Sequence, residues 1–162
     1  MAYVSRGFIP QTSLASNLGF TRPMYIPAGN STATALYDIV KVSTSGSTAD
    51  TAGVPAGLMG CVRVSDKDDV PCGVIVGFIA DPDYLNQTYR SASKARVALV
   101  NYDPQVVLEA QEDDNGTTLA VARIGTPVDL VPGSIDTVTG TSGMPISSAT
   151  LAGSPVMFPL QH

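Results

Sequence analysis

The sequence predicts an all-β fold, either a single β-barrel or a jelly-roll-like sandwich, with an extended N-terminal arm. Its 162 residues fall within the usual size of one domain. The composition is 44% hydrophobic but only 14% charged, with 15 glycines and 12 prolines, which indicates short strands joined by many turns and not a disordered chain. Because apolar residues do not recur at helical spacing over three turns anywhere in the sequence, no long helix is expected.

The first 34 residues form the predicted arm, because they show no sustained strand or helix period. Ser13 could cap one short helical turn that Gly19 ends, but a turn of that length is not stable on its own. The sequence therefore divides into an N-terminal arm, residues 1–34, and a β-barrel or sandwich domain, residues 35–162.

The first half of this domain contains three predicted strands, each rich in β-branched or aromatic residues and each ended by a turn signal. They cover residues 35–42, 57–64 and 73–79. The polar segment 81–95 follows, and it is the other place where the sequence allows a short helix.

The second half contains the clearest strand pattern. Strands are predicted over residues 96–100, 106–111 and 117–124. In the second of these, apolar and polar side chains alternate, which is typical of a strand with one buried face. Asn115-Gly116 is a strong hairpin signal, so we expect the second and third of these strands to pair. Glycines and prolines interrupt the chain after residue 125, and the apolar segment 155–160 predicts an edge strand.

Residues suited to catalysis are scarce. His162 is the single histidine and the last residue, where a side chain cannot easily be held as a general base. A structural zinc site needs about four Cys or His ligands, whereas the sequence has two cysteines and this histidine. Cys61 and Cys72 could face each other across a hairpin, or be two buried small apolar residues. We predict that the protein is not an enzyme and carries no catalytic residues and no cofactor.

Two acidic clusters could suggest a cation site. Asp66, Asp68 and Asp69 share one predicted turn, and residues 112–114 share another. Neither cluster has the ligand spacing of a known calcium loop, so solvated turn residues are the expected reading and no metal is predicted.

Nucleic acid and membranes are not expected as partners. The net charge is −5, and the nine Lys and Arg residues are scattered singly, whereas phosphate binding needs clustered cations. The longest apolar stretch, residues 70–80, is interrupted by Pro71 and is far shorter than the ~20 residues that span a bilayer. The N-terminal sequence also lacks the pattern of a signal peptide.

Residues 96–114 resemble a recurrent stretch of tailed-bacteriophage virion proteins, in which a strand ending near Asp-Pro leads into an apolar strand with Glu-x-Gln-x-Asp. The segments 36–42, 73–78 and 139–144 are similar to flanking pieces in the same order. The chain thus resembles the capsid decoration, or cement, proteins of tailed phages.

The resemblance implies a β-barrel protein on the capsid exterior of the virion. Such a protein binds the outer surface of the phage head and stabilises the lattice of the major capsid protein. Its partners would be that capsid protein and neighbouring copies of itself, as a dimer or trimer. The family carries no catalytic residues to transfer. The alternative is a receptor- or carbohydrate-binding β-module of a virion fibre or spike.

Apolar side chains in the predicted arm are the candidate contacts with the capsid or another partner, because exposed apolar groups of this size usually mark a partner surface. They are Phe8, Ile9, Leu14, Leu18 and Phe20. The competing account is that an N-terminal strand completes the chain's own barrel. Tyr84, Tyr89 and Tyr102 could form a surface for a sugar or a base, but packing in a core or an interface is the expected role.

Overall fold

A computed structural model describes residues 6–13, 20–48, 54–66, 68–83, 85–113, 119–120 and 125–151, with the backbone alone for 149–151. These residues form eleven strands and no helix. The strands are β1 Ile9–Ser13, β2 Thr21–Ile26, β3 Ile39–Ser43, β4 Gly60–Arg63, β5 Gly73–Phe78, β6 Arg96–Asn101, β7 Val106–Glu109, β8 Val128–Leu130, β9 Ile135–Asp136, β10 Thr141–Ser142 and β11 Ile146–Leu151. The all-β prediction is confirmed.

Five strands close into a barrel in the order β2-β4-β3-β5-β6, with β6 pairing back to β2. The barrel is therefore the architecture adopted, of the two that the sequence allowed. Its longest ladder is the antiparallel pair β2–β6, from Thr21 opposite Asn101 to Ile26 opposite Arg96. β2 and β4 run parallel and are joined at Tyr25 and Gly60.

The segment expected to be a separate arm contributes a strand to this barrel, so the boundary at residue 34 is wrong. β2 buries Met24 and Ile26 in the barrel core. Pro23 weakens the strand signal in the sequence, because proline has no N–H for a ladder. The Tyr25 N–H points toward β4, where it donates to the Met59 carbonyl at 2.8 Å, so the nitrogen of Pro23, two residues away, faces the same side and not the β6 ladder. The competing account, a strand that completes the barrel, is correct for residues 21–26.

Three two-stranded sheets lie outside the barrel. β1 pairs antiparallel with β7, and β8 with β11, while β9 and β10 form a small hairpin. A second core fills the space between these sheets and the barrel. It contains Phe8, Ile39, Val64, Val74, Val128, Leu130, Met144 and Ile146. The barrel's own core contains Met24, Ile26, Val40, Cys61, Ile75, Ala98 and Val100.

Several local predictions meet a different outcome. β7 pairs with β1, and of the strand expected at 117–124 the two described residues, 119 and 120, lie outside any strand. The hairpin tip Asn115-Gly116 and the final segment 155–160 lie outside the described residues, as does most of the helical turn expected between Ser13 and Gly19. The described part of segment 81–95 forms turns and one bridge residue but no helix.

Candidate interaction surface

An exposed aromatic pair lies where the β2–β6 ladder ends. The Tyr102 N–H donates to the Phe20 carbonyl at 2.9 Å, which extends the ladder one step past Thr21 and Asn101. The two ring centroids are 6.2 Å apart and the ring planes are inclined by 41°. Phe20 is 52% exposed and Tyr102 is 42% exposed. The barrel fixes the backbone of both residues. A partner that binds this apolar surface would therefore cost the pair little conformational entropy.

Arg22 completes this group, which we call the aromatic end. Its guanidinium carbon lies 5.5 Å from the centroid of the Tyr102 ring, within the range of a cation–π contact. The neighbouring carboxylate, Asp103, is buried and accepts hydrogen bonds from the Ser13 hydroxyl and from the Gln105 N–H at 2.9 Å. The charge in direct contact with the Tyr102 ring is therefore positive.

The five predicted contact residues do not form one surface. Phe8 is 1% exposed and packs in the second core, so it cannot also be an exposed contact for a partner. Ile9 is half-buried in β1, and Phe20 alone of the described members is exposed and belongs to the aromatic end. Leu14 and Leu18 lie outside the described residues. Gly7, directly before Phe8, has a positive φ of 72°. Ser142 Cβ and the Tyr37 carbonyl lie so close to its Cα that a side chain would not fit there.

The three tyrosines considered for a binding surface are not brought together either. Tyr102 lies at the aromatic end, whereas Tyr89 is half-buried and its carbonyl accepts a hydrogen bond from Arg96. Tyr84 is outside the described residues. The pairing of Tyr102 with Phe20 depends on the register between β2 and β6, which no local pattern in the sequence specifies.

The opposite end of the barrel, which we call the loop end, is built from residues 79–83 and 85–95 and the turn 136–140. Leu85 is 75% exposed and Val138 is 90% exposed. The two segments touch, because a Cβ added to Gly140 would lie 2.1 Å from the Thr88 hydroxyl oxygen. The side chains of Asp81, Asp83 and Asp136 also belong to this end. The loop end thus combines exposed aliphatic side chains with carboxylates.

Buried Arg90 holds the loops that lead into this end. It is fully buried, and its guanidinium donates to the carbonyls of Pro27 at 2.9 Å, Asn30 at 2.8 Å, Thr32 at 2.6 Å and Lys94 at 2.6 Å. Burial lowers the pKa of Arg90 to about 10. One cation thus satisfies carbonyl groups from two separate loops, which sequence patterns do not reveal because the partners are all backbone atoms.

Arg96, the first residue of β6, also binds loop carbonyl groups. Its guanidinium donates to the carbonyls of Tyr89 and of Gln87, the latter at 3.0 Å, and lies 4.8 Å from the centroid of the Phe78 ring. Burial lowers its pKa. Together, Arg90 and Arg96 hold irregular backbone in one arrangement and so position the exposed side chains of the loop end.

A third buried arginine lies between the barrel and the second core. Arg63 Nε is 2.9 Å from Asp38 Oδ1, and Arg63 also donates to the Gly133 carbonyl at 2.5 Å. Asp38 accepts hydrogen bonds from the Ser142 hydroxyl and from the Ala35 N–H. Burial raises the pKa of Asp38, while Arg63 and these hydrogen bonds lower it in opposition. This network joins β3, β4 and β10 and has a structural role.

The remaining candidates for chemistry are dispersed. Cys61 and Cys72 are free thiols, and burial raises the pKa of Cys61 to about 12 and also raises that of Cys72. Asp69 accepts hydrogen bonds from the N–H groups of Ser65 and Asp66 and pairs with Lys41. Within the described ranges, no three His, Cys, Asp or Glu side chains are grouped so as to hold a metal ion. His162 lies outside them.

No protein-family model, no curated protein and no solved structure matches this chain. No helix in the described part of the chain could cross a membrane.

Proposed function

We propose that this protein is a non-enzymatic structural component of a phage virion, which decorates the outer surface of the head and stabilises the lattice of the major capsid protein. The observation that carries the proposal is the aromatic end, where Phe20, Tyr102 and Arg22 are exposed on backbone fixed by the barrel. Aromatic residues and arginine are enriched at protein interfaces and supply most of the binding energy there.

The resemblance of residues 96–114 to tailed-phage decoration proteins supplies the virion context. The net charge of −5 favours the exterior of the shell, away from packaged DNA. Protein partners, either the capsid protein or neighbouring copies, are consistent with a surface that has apolar groups at both ends of a barrel.

Heads assembled without this protein provide the test. We expect the purified chain to bind such heads in co-sedimentation and to appear as regular density on the lattice by electron microscopy. The double variant Phe20→Ser with Tyr102→Ser should weaken binding about 30-fold, the loss that corresponds to about 2 kcal/mol at an interface hot spot. Val42→Ser, which alters an exposed apolar side chain on β3, a strand that pairs with neither β2 nor β6, is the matched control and should bind normally. Equal binding by all three proteins would contradict the proposal.

A receptor- or carbohydrate-binding module of a fibre or spike is the second candidate, because an exposed aromatic pair can also stack on sugar rings. The 41° between the two ring planes favours a protein partner, since a flat sugar platform needs rings that are closer to parallel. The copy number per virion separates the two functions: many copies spread over the head support decoration, and a few copies at one vertex or fibre support the alternative.

A further inference from the structure

We propose that Pro23 prevents an open edge of β2 from pairing with the same edge of a second copy. This role belongs to the free chain, and it can hold or fail independently of binding to phage heads. Three features of the barrel support it: the short length over which β4 covers β2, the direction of the backbone groups on β2, and the residues that occupy the uncovered part.

β4 covers only the last part of β2. Their parallel pairing consists of the one bridge between Tyr25 and Gly60, whereas β6 lies beside all six residues of β2 on the other side. Just before β4 the chain is held away from β2, because the N–H and the carbonyl of Leu58 both bind Ser47. Residues 21–23 are all exposed. Within the described part of the chain, they form a strand edge that no strand covers on the β4 side.

The backbone groups of alternate residues on β2 face this open edge. The Tyr25 N–H donates to the Met59 carbonyl at 2.8 Å, on the side of β2 away from β6. Because successive strand residues direct their backbone groups to opposite sides, Thr21 and Pro23 face the same side as Tyr25. The open edge therefore presents the N–H and the carbonyl of Thr21 but only the carbonyl of Pro23, since proline has no N–H.

An uncovered edge is a template for another strand, and the same edge of a second copy can supply that strand. Two such edges would pair antiparallel about an axis at Arg22, with Thr21 of each copy opposite Pro23 of the other. Residue pairs of this kind normally exchange two hydrogen bonds, but here each pair loses one because the proline nitrogen cannot donate. The two Arg22 side chains would also lie opposite each other, where like charges destabilise a sheet.

The interior of the barrel gives no other reason for a proline at this position. The side chain of Pro23 is exposed, and it belongs to neither hydrophobic core. A β-branched residue would suit a strand better, because proline is normally excluded from strand interiors and β-branched side chains pack well on a pleated surface. Protection of the open edge accounts for the choice of proline.

Disulfide trapping tests this role with the full chain in solution. In the symmetric pairing, residue 22 lies opposite residue 22 of the second copy at a non-hydrogen-bonded position, where the Cα atoms are about 4.5 Å apart and a disulfide can form. Arg22→Cys therefore reports contact between the two edges. Under mild oxidation, the double variant Arg22→Cys with Pro23→Thr should form the linked dimer about 30-fold faster than Arg22→Cys alone. This factor corresponds to about 2 kcal/mol for the two donors restored per dimer.

Two controls make the result specific to this edge. Peptide mapping distinguishes a bond between the two introduced cysteines from one that involves Cys61 or Cys72. Adding Thr21→Pro to the double variant should slow trapping again, because that proline removes a donor from the same edge. All variants should keep the circular dichroism spectrum and melting temperature of Arg22→Cys, since residues 21–23 are exposed and the changed N–H groups face away from β6. Pro23→Ser restores the same donor if Pro23→Thr does not fold.

Equal trapping rates with proline, threonine or serine at position 23 would overturn the proposal. Fast trapping that Thr21→Pro does not slow would also overturn it, because the two copies would then meet through another surface. Neither outcome bears on decoration of heads, which is measured with Pro23 in place and with changes at Phe20 and Tyr102.

Discussion

The two ends of the barrel display apolar side chains by different means. At the aromatic end, Phe20 and Tyr102 continue a regular strand ladder, and backbone hydrogen bonds alone fix them. At the loop end the backbone is irregular, and the buried guanidinium groups of Arg90 and Arg96 bind the carbonyls that a ladder would otherwise have satisfied. The contrast teaches that a buried arginine can replace secondary structure where loops must keep one shape.

The largest effect should come from removing the cation that holds the loops. Arg90→Met should lower the free energy of unfolding by about 5 kcal/mol, because four carbonyl groups lose their buried donor. Arg22→Met, at the aromatic end, should change it by less than about 0.5 kcal/mol, because that side chain is exposed. Equilibrium unfolding in urea measures both. Similar midpoints for the two variants would mean that Arg90 does not hold the loops.

Phe8 and Phe20 sharpen the comparison, since both belong to the segment that was predicted to contact a partner. Phe8→Ala should destabilise the fold by about 4 kcal/mol, because Phe8 fills the second core. Phe20→Ala should leave stability within about 0.5 kcal/mol of the unmodified protein, since its ring is half in solvent. Thermal and urea unfolding of the pair check this. A stable Phe8→Ala variant would show that the N-terminal segment contributes little to the core.

Asp38 provides a smaller, pH-dependent test of the third buried arginine. The raised pKa of Asp38 in the folded state means that, between its ordinary value of 3.8 and the raised value, the folded protein binds more protons than the unfolded chain. This carboxyl therefore contributes stability at acidic pH that is lost as the pH rises through that window. At neutral pH, where the Asp38 carboxylate is charged, Asp38→Asn should cost about 2 kcal/mol, because Arg63 loses its counter-ion.

The cost of Asp38→Asn should be largest at the acidic end of the window and smaller at neutral pH. Asp69 and Asp136 have lowered pKa values, so their contribution to the free energy of unfolding rises with pH, opposite to that of Asp38. The unmodified protein must therefore be compared with Asp38→Asn at each pH. Unfolding midpoints from pH 4 to 7, spanning about three units above the ordinary carboxyl value, measure the difference. A constant difference across this range would show that the Asp38 carboxyl does not titrate within it.

The smallest effect concerns the barrel wall between the two ends. Cys61 lies on β4, and Cys72 donates its N–H to the Val40 carbonyl on β3, so β3 separates the two cysteines. Strands on either side of a third lie roughly 10 Å apart, too far for a disulfide. We expect both thiols to remain reduced in air and Cys61 to react with iodoacetamide only after unfolding. Peptide mapping of labelled protein would reveal a Cys61–Cys72 bond or rapid labelling if this is wrong.

The strands with an uninterrupted local pattern could be predicted from the sequence. β3, β5, β6 and β7 all fall within or beside predicted strands, because β-branched runs ended by turns have few other solutions. The sequence pattern does not predict β2, because Pro23 interrupts it; in the barrel the Pro23 nitrogen faces β4, which pairs with β2 at Tyr25 and not at Pro23. β8 and β11 lie in a stretch rich in glycine, serine and proline, where burial against Phe8 and Ile39 decides the conformation.

The candidate surface was less predictable than the fold. The sequence places Phe20 among the apolar residues of the arm and Tyr102 among the tyrosines, and it does not predict their contact, because that contact depends on the register of two distant strands. Arg90 gave no signal, since its partners are main-chain carbonyls and any residue type can supply those. A sequence shows which side chains are present, whereas the positions of backbone carbonyl groups are known only once the fold is known.

The order in which the chain leaves the ribosome does not match the order of the strands in the barrel. Thr21–Ile26 is among the first segments to emerge, yet its long antiparallel partner, Arg96–Asn101, comes much later, and Ile9–Ser13 must wait for Val106–Glu109. Such distant pairings make folding slow and leave early strands unpaired in the nascent chain. The N-terminal strands are therefore the ones a ribosome-associated chaperone would encounter unpaired, and a stalled chain ending before residue 96 would carry β2 without the strand that closes the barrel around it.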